Sequence, residues 1–211
     1  LKAAVTNAKI DLVDAQKALA EAEKALAELE EDDKEEEKEV ARIAGKDRYE
    51  TALKVAKELQ PEGSERVVLA SGANYADALV GARYAKDKDA VLLLVDGALT
   101  DDVKAYLELA TKEVTILGGS ASVKEEVAKE LKDAKYTVDR IAGKDRYKTA
   151  VEVANKMETV ENILVASGEN YADALVASAA ANKLGNSAVL LTEKSKLNDD
   201  AKEYMTTNKE T

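Results

Sequence analysis

The stretch Arg42-Ile-Ala-Gly-Lys-Asp-Arg-Tyr49 occurs a second time, unchanged, at Arg140-Ile-Ala-Gly-Lys-Asp-Arg-Tyr147, displaced by 98 residues. Eight identical consecutive positions at that distance mark an internal repeat. Outward from it, Ser71-Gly-Ala-Asn-Tyr-Ala-Asp-Ala-Leu79 returns as Ser167-Gly-Glu-Asn-Tyr-Ala-Asp-Ala-Leu175, displaced by 96 residues. Leu99-Thr-Asp-Asp-Val-Lys-Ala-Tyr106 returns as Leu197-Asn-Asp-Asp-Ala-Lys-Glu-Tyr204, displaced by 98 again. The slip of two is local. Copy one carries the longer loop Leu59-Gln-Pro-Glu-Gly-Ser64 and copy two the longer Asn182-Lys-Leu-Gly-Asn186, and loops absorb such differences.

Within copy one, short apolar runs alternate with helical patterns: Val67–Ala70, then 74–85; Ala90–Val95, then 100–110; Val114–Leu117, then 122–133. Apolarity in the short runs is continuous rather than alternating, which predicts strands covered on both faces, as in a parallel sheet flanked by helices. The expected fold is therefore α/β, with tandem Rossmann-like repeats of about four strands each and Tyr136–Ile141 a candidate strand at the junction. By the 98-residue period, the counterpart of Val114-Thr-Ile-Leu-Gly-Gly119 falls at about residue 212, after Thr211. Copy two is thus short of one strand and one helix. Its sheet is expected to expose an apolar edge, covered in the natural protein by further chain or by another molecule.

From Leu1 to Leu29, apolar residues stand at Leu1, Val5, Ala8, Leu12, Ala15, Leu19, Ala22, Leu26 and Leu29. This 4-3-4-3 spacing predicts a long N-terminal helix with a coiled-coil-type seam. Two readings are open: a seam for another copy or another helix, giving a homo-oligomer or helix partner through residues 1–29, and an amphipathic helix packed on its own domain. Eight of the ten residues from Glu30 to Glu39 are acidic, too polar to pack. The expected division is 1–39 as a helical stalk, 40–139 as repeat one and 140–211 as an incomplete repeat two.

Composition narrows the chemistry. The chain has no His, Cys, Trp or Phe, so the commonest general base, the thiol nucleophile and the preferred soft metal ligands are missing, and Ala, Val and Leu must build the core. A net charge of −11 argues against nucleic acid as the partner. No apolar run approaches the roughly 18 residues of a membrane span. The acids at 30–39 lack the Gly turn and spaced oxygens of a calcium loop. Ala44-Gly-Lys-Asp47 is not a phosphate loop, Leu117-Gly-Gly-Ser120 is not a dinucleotide fingerprint, and Ser71 and Ser167 have no His to activate them. Nothing calls for catalysis, a cofactor or a metal.

Repetition also shows which positions the architecture keeps. Those around Arg48, Tyr49, Asn74 and Asp77, and their counterparts Arg146, Tyr147, Asn170 and Asp173, stand where a strand ends and a helix begins, the edge at which open α/β sheets bind ligands. Helix capping explains many of them without a ligand. Asp47 with Glu50, Asn74 with Asp77, and Ser122 with Glu125 fit the capping template, while Thr100 and Asn198 precede paired aspartates. Arg48 and Arg146 fit less well, since a cation in a first helical turn opposes the macrodipole. Each needs an acceptor, either Asp77 or Asp173 or an anionic ligand.

The chained motifs Arg-Ile-Ala-Gly-x-Asp-Arg-Tyr-x-Thr-Ala (Arg42–Ala52, Arg140–Ala150), Ser-Gly-x-Asn-Tyr-Ala-Asp-Ala-Leu, Leu-Thr-Asp-Asp and Ile-Leu-Gly-Gly-x-x-Ser-Val (Ile116–Val123) resemble the cell wall binding repeat 2 family over about Val40–Tyr204. The resemblance implies an extracellular surface protein, not an enzyme, anchored non-covalently to an anionic secondary polymer of the Gram-positive wall, a polysaccharide or a teichoic-acid-like chain. It implies ligand contacts at Arg48, Tyr49, Asn74, Asp77, Arg146, Tyr147, Asn170 and Asp173. It also implies that adhesion, S-layer building or hydrolysis belongs to other parts of the protein. Two other readings stand beside it: a self-assembling lattice or stalk protein without direct polymer binding by this fragment, and an unrecognised enzyme on the same sheet.

Overall fold

The computed structural model describes residues 41–208, together with Lys17, Leu19, Ala20, Glu21, Glu23 and Lys24, which are helical. The chain divides into two compact units, Leu1–Arg42 and Ile43–Thr211. The heptad seam and the acidic block fall for the most part outside the described residues.

In the second unit, helices and strands alternate as the repeat pattern predicts. Copy one contains α1 (Arg48–Leu59), β1 (Arg66–Ser71), α2 (Tyr75–Asp87), β2 (Val91–Val95), α3 (Asp101–Ala110), β3 (Glu113–Leu117) and α4 (Glu125–Asp133). There follow β4 (Thr137–Ile141), α5 (Arg146–Asn155), β5 (Asn162–Ser167), α6 (Tyr171–Leu184), β6 (Ser187–Thr192) and α7 (Asp199–Thr207). The first four strands form one parallel sheet in the order β2-β1-β3-β4. Strands β5 and β6 form a separate parallel pair.

The continuous apolarity of β1 follows from its central place in the sheet. Val67 and Leu69 enter one core with Leu53, Leu93, Tyr106 and Ile116. Val68 and Ala70, on the opposite face because strand side chains alternate, enter another. That second core also contains Ala150, Val153, Ala174, Val189 and Leu191 of copy two, so the two copies share buried apolar surface. Burying apolar surface stabilises by about 25 cal/mol per Å², so this shared core fastens the two copies to each other.

The junction strand β4 pairs with β3 in register Val114↔Val138 and Leu117↔Ile141. The repeated Arg-Ile-Ala motif of copy two therefore begins on the last strand of copy one's sheet, and the 139/140 sequence boundary falls inside β4. In copy two, β5 pairs only with β6 among the described residues. Val165 on β5 is 41% exposed, where its counterpart Leu69 is fully buried.

Candidate functional site

The capping expectations hold where a helix begins directly at the repeated motif. Asp47 Oδ1 accepts from the Tyr49 and Glu50 amides at 3.0 and 2.9 Å, and Glu50 Oε2 reaches back to the Lys46 amide at 2.8 Å. Asn74 and Asn170 cap α2 and α6 by accepting from Ala76 and Ala172. Thr100 and Asn198 cap α3 and α7. Ser122 departs from the template. Helix α4 starts at Glu125 after Lys124, with no side-chain cap, because residues 119–123 turn to bury Val123 completely and the Ser122 hydroxyl is drawn to Asp77 instead.

The two repeated arginines find backbone acceptors. Arg48 Nη1 donates to Gly72 O at 2.7 Å and Arg146 Nη1 to Gly168 O at 2.5 Å. Each guanidinium thus binds the carbonyl just past a strand end, satisfying a group that β1 or β5 leaves free. The glycine is required there. A Cβ on Gly72 would collide with the Tyr49 ring, and one on Gly168 would lie 2.9 Å from Tyr147 Cε1. Tyr49 and Tyr147 therefore pack on the turn that their neighbouring arginines grip, and burial pushes the Tyr147 hydroxyl above its ordinary value.

The acceptor expected for the arginines, Asp77 or Asp173, is met in neither copy by a direct ion pair. Asp77 is 4% exposed. Burial raises its carboxyl above the ordinary 3.8, opposed by the Ser122 hydrogen bond and by the charge of Arg146 from the other copy. Gly118 closes over it. This residue has φ +90°, and an added Cβ would strike Asp77 Oδ2. Asp173, its counterpart, is exposed. The structure thus brings Asp77, Arg146 and the Gly118–Ser122 turn together at the seam, while Asn170 and Asp173 stand at the open start of α6.

Two residues outside the candidate set complete this seam. Tyr75 OH accepts from Arg146 Nη1 at 3.1 Å and donates to Gly168 O at 3.4 Å. Arg140, on β4, donates Nη1 to Gly118 O and Val123 O at 2.8 and 3.0 Å, clamping the turn that covers Asp77. Both positions recur between the copies, as Tyr171 and Arg42, and that recurrence was the available signal.

At the carboxyl end of β2, a cleft of about 380 Å³ is lined by Lys46, Asp47, Tyr49, Glu50, Asp96 and Asp102, among others. Charge at this edge differs between the copies. Glu50 corresponds to Lys148, whereas Asp96, the residue after β2, corresponds through the strand registers to Glu193, which is also acidic. In copy two, Asp200 lies 3.2 Å from Lys144 Nζ and 3.8 Å from Lys148 Nζ. No helix among the described residues is long and apolar enough to cross a membrane.

Against known proteins, the sequence profile of Cell wall binding domain 2 (CWB2) matches residues 42–128 and 140–210. The chain is 35% identical over 161 residues to the N-acetylmuramoyl-L-alanine amidase LytC of Bacillus subtilis, covering 75% of this chain and 32% of that protein. It is 31% identical over 153 residues to the amidase enhancer of the same organism, covering 72% of this chain and 20% of the relative. Among solved structures it is similar to Cwp8 from Clostridium difficile, with TM-score 0.72 and 26% identity over 90% of this chain and 33% of that one. Cwp6 from the same organism gives TM-score 0.69 and 26% identity over 83% and 30%. The chain spans about a third or less of the length of these relatives.

Proposed function

The chain belongs to the Cell wall binding domain 2 family, and from that premise we propose that residues 40–139 and 140–211 form a non-catalytic module that anchors a surface protein to an anionic polymer of the Gram-positive wall. One observation supports this reading above the others. Arg48 and Arg146 stand at the start of a helix beside a strand end, and each commits only Nη1 to protein acceptors. A guanidinium carries five donors in a planar fork suited to carboxylate or phosphate oxygens. The remaining donors have no protein acceptor among the described residues. An overall charge of −11 would repel an acidic polymer, so attraction has to be focused at such points and multiplied by repetition.

On this reading Tyr49 and Tyr147 supply ring surface, and Asn74, Asn170, Asp77 and Asp173 are the further ligand contacts, with Asn74 and Asn170 also capping α2 and α6. Wall hydrolysis, adhesion or lattice building would lie elsewhere in the parent protein, with residues 1–39 as a stalk. Cosedimentation tests the proposal. The purified chain should pellet with native walls and lose most of its binding to walls stripped of anionic polymer, and Arg48→Ala should bind native walls more weakly than the parent chain. Equal binding to stripped and native walls would overturn it.

A further inference from the structure

Arg83, one turn before the end of α2, is 4% exposed, and no other Lys or Arg among the described residues is buried to that degree. Its guanidinium nevertheless makes no hydrogen bond to the protein among the described residues. Nε is buried without a partner, and the carboxylate beside it, Asp87 Oδ1, stands 3.8 Å from Nη2. Asp87 is engaged elsewhere, with its Oδ2 at 3.2 Å from both the Glu158 amide and Lys88 Nζ. Taking a guanidinium out of water without acceptors costs far more than a cation gains from the negative end of a helix. The repeat does not require the charge either, because Arg83 falls on Ala179 in copy two. A cation buried at such a cost, where the architecture accepts a methyl group, calls for a partner from outside the chain.

Arg83 lines a cavity of about 280 Å³ at the seam. Lys86 of α2, Thr159 of the α5–β5 loop, and Asn182 and Asn186 at the end of α6 contribute the other donors. The side chains of these four residues are exposed and make no hydrogen bond or ion pair to the protein among the described residues. The two acids of the wall, Asp87 and Glu158, are both answered by Lys88, whose Nζ lies 3.2 Å from each. Three cations thus face two carboxylates, a local positive excess in a chain of net charge −11. The cavity lies just before β5 and β6, at the amino ends of the strands, whereas Arg48 and Arg146 stand at the carboxyl ends.

We propose that this cavity is a phosphate site, taking the group either as a free ion or carried on a larger molecule. A planar carboxylate is satisfied by one guanidinium edge, but donors arriving from three separate segments around one space suit a tetrahedral anion. Arg83 supplies the buried charge, Lys86 a second charge at the rim, and Asn182, Asn186 and Thr159 neutral donors from copy two. The bound group therefore ties α2 of copy one to α6 and the α5–β5 loop of copy two, and it stabilises the seam by mass action. This site is independent of the wall contacts assigned to Arg48 and Arg146.

Titration calorimetry of the full chain, in phosphate-free buffer at constant ionic strength, tests the proposal with inorganic phosphate, dimethyl phosphate and acetate as probes. Inorganic phosphate should bind at a single site and, at about tenfold excess over its Kd, raise the melting temperature by about 3–5 °C. Acetate should bind more weakly by roughly tenfold. Arg83→Met keeps the length and apolar packing of the side chain, so without phosphate it should melt no lower than the parent. It should lose at least about tenfold in phosphate affinity. Asn182→Asp changes an exposed position, leaves the core untouched, and should lose as much through like-charge repulsion. Amide shifts on adding phosphate should centre on Glu158, Gly185 and Asn186. Dimethyl phosphate binding alongside inorganic phosphate assigns the site to a diester within a polymer, and inorganic phosphate alone assigns it to a free ion or monoester. A parent that binds no phosphate, equal affinity for acetate, or variants with the parent's affinity would overturn the proposal. So would shifts centred on Gly72 and Gly168, which place the ion at the carboxyl edge. Equal pelleting with native and stripped walls would overturn the anchoring reading and leave each of these results unchanged.

Discussion

Arg146 and Tyr75 stand 71 residues apart and meet twice over: the guanidinium lies over the ring at 5.5 Å, and Nη1 donates to the phenol oxygen at 3.1 Å. One side chain comes from each copy, so this pair fastens the seam at its polar end. Tyr75→Phe keeps the stacked ring and loses both hydroxyl bonds, which should destabilise the chain by about 1 kcal/mol. Tyr171→Phe is the internal control. The Tyr171 hydroxyl has no partner among the described residues, so that change should stay within about 0.5 kcal/mol in dilute solution. Urea midpoints of the two variants decide it, and equal losses would remove Tyr75 from the seam's energetics.

How far the sequence led can be judged at particular residues. The strand–helix alternation, the parallel sheet and the junction strand at 136–141 were legible because β1 and β2 are apolar on both faces and because the repeat fixes equivalence without any alignment. Arginine acceptors were not legible. A sequence shows the carboxylates of Asp77 and Asp173 but not a carbonyl exposed by a strand end, and the backbone at Gly72 and Gly168 proved the nearer partner. Ser122 was read as a cap since Glu125 stands three positions on. Burial of Val123 and the pull of Asp77 moved the helix start beyond it. The inequality of the copies was also hidden: Asp77 and Asp173 sit in matching motifs, yet among the described residues Asp77 is buried under the Gly118–Ser122 turn and Asp173 is exposed.

Asp77 gives a dependence on pH with a definite sign. Burial holds its folded-state value above the ordinary 3.8, so between the two values the folded chain binds more protons than the unfolded chain. Stability from this group is present below that window and falls as pH rises through it. Asp77→Asn cannot ionise. The stability difference between variant and parent should therefore shift in the variant's favour as pH rises from about 3.8 toward neutrality. Glu50 and Glu65, which are shifted downward by Lys46, Lys54 and Lys112, are common to both proteins and cancel. A difference that stays constant across that range would show that Asp77 titrates normally.

The turn over Asp77 contains two adjacent glycines with different duties. Gly118 has φ +90° and no room for a Cβ beside Asp77, whereas nothing lies within 4 Å of a Cβ on Gly119. Gly118→Ala should therefore destabilise by about 2 kcal/mol from backbone strain and displacement of Asp77. Gly119→Ala should be neutral or slightly stabilising. Thermal melts of the pair would show it, and equal effects would mean that the turn yields.

Tyr106 is 1% exposed, and its hydroxyl donates to Ala56 O at 3.3 Å and Gln60 O at 3.1 Å. Ala56 lies in the last turn of α1 and Gln60 is its C-cap, so the phenol adds a donor at the end where helix carbonyls run short of intrahelical partners. Tyr106→Phe removes that donor without opening a cavity, so it should destabilise by about 1 kcal/mol. The loss should be local as well as global, with faster amide exchange at Gln60, whose N–H bonds Ala56 O at 2.8 Å. Tyr106→Ala adds a cavity between α1 and α3 and should destabilise by roughly 3–5 kcal/mol. The repeat again supplies the control. Tyr204 occupies the same position in copy two at 7% exposure, but its hydroxyl has no partner among the described residues. Tyr204→Phe should leave stability nearly unchanged, and a loss equal to that of Tyr106→Phe would show that ring packing, not the bond to α1, is what the position requires.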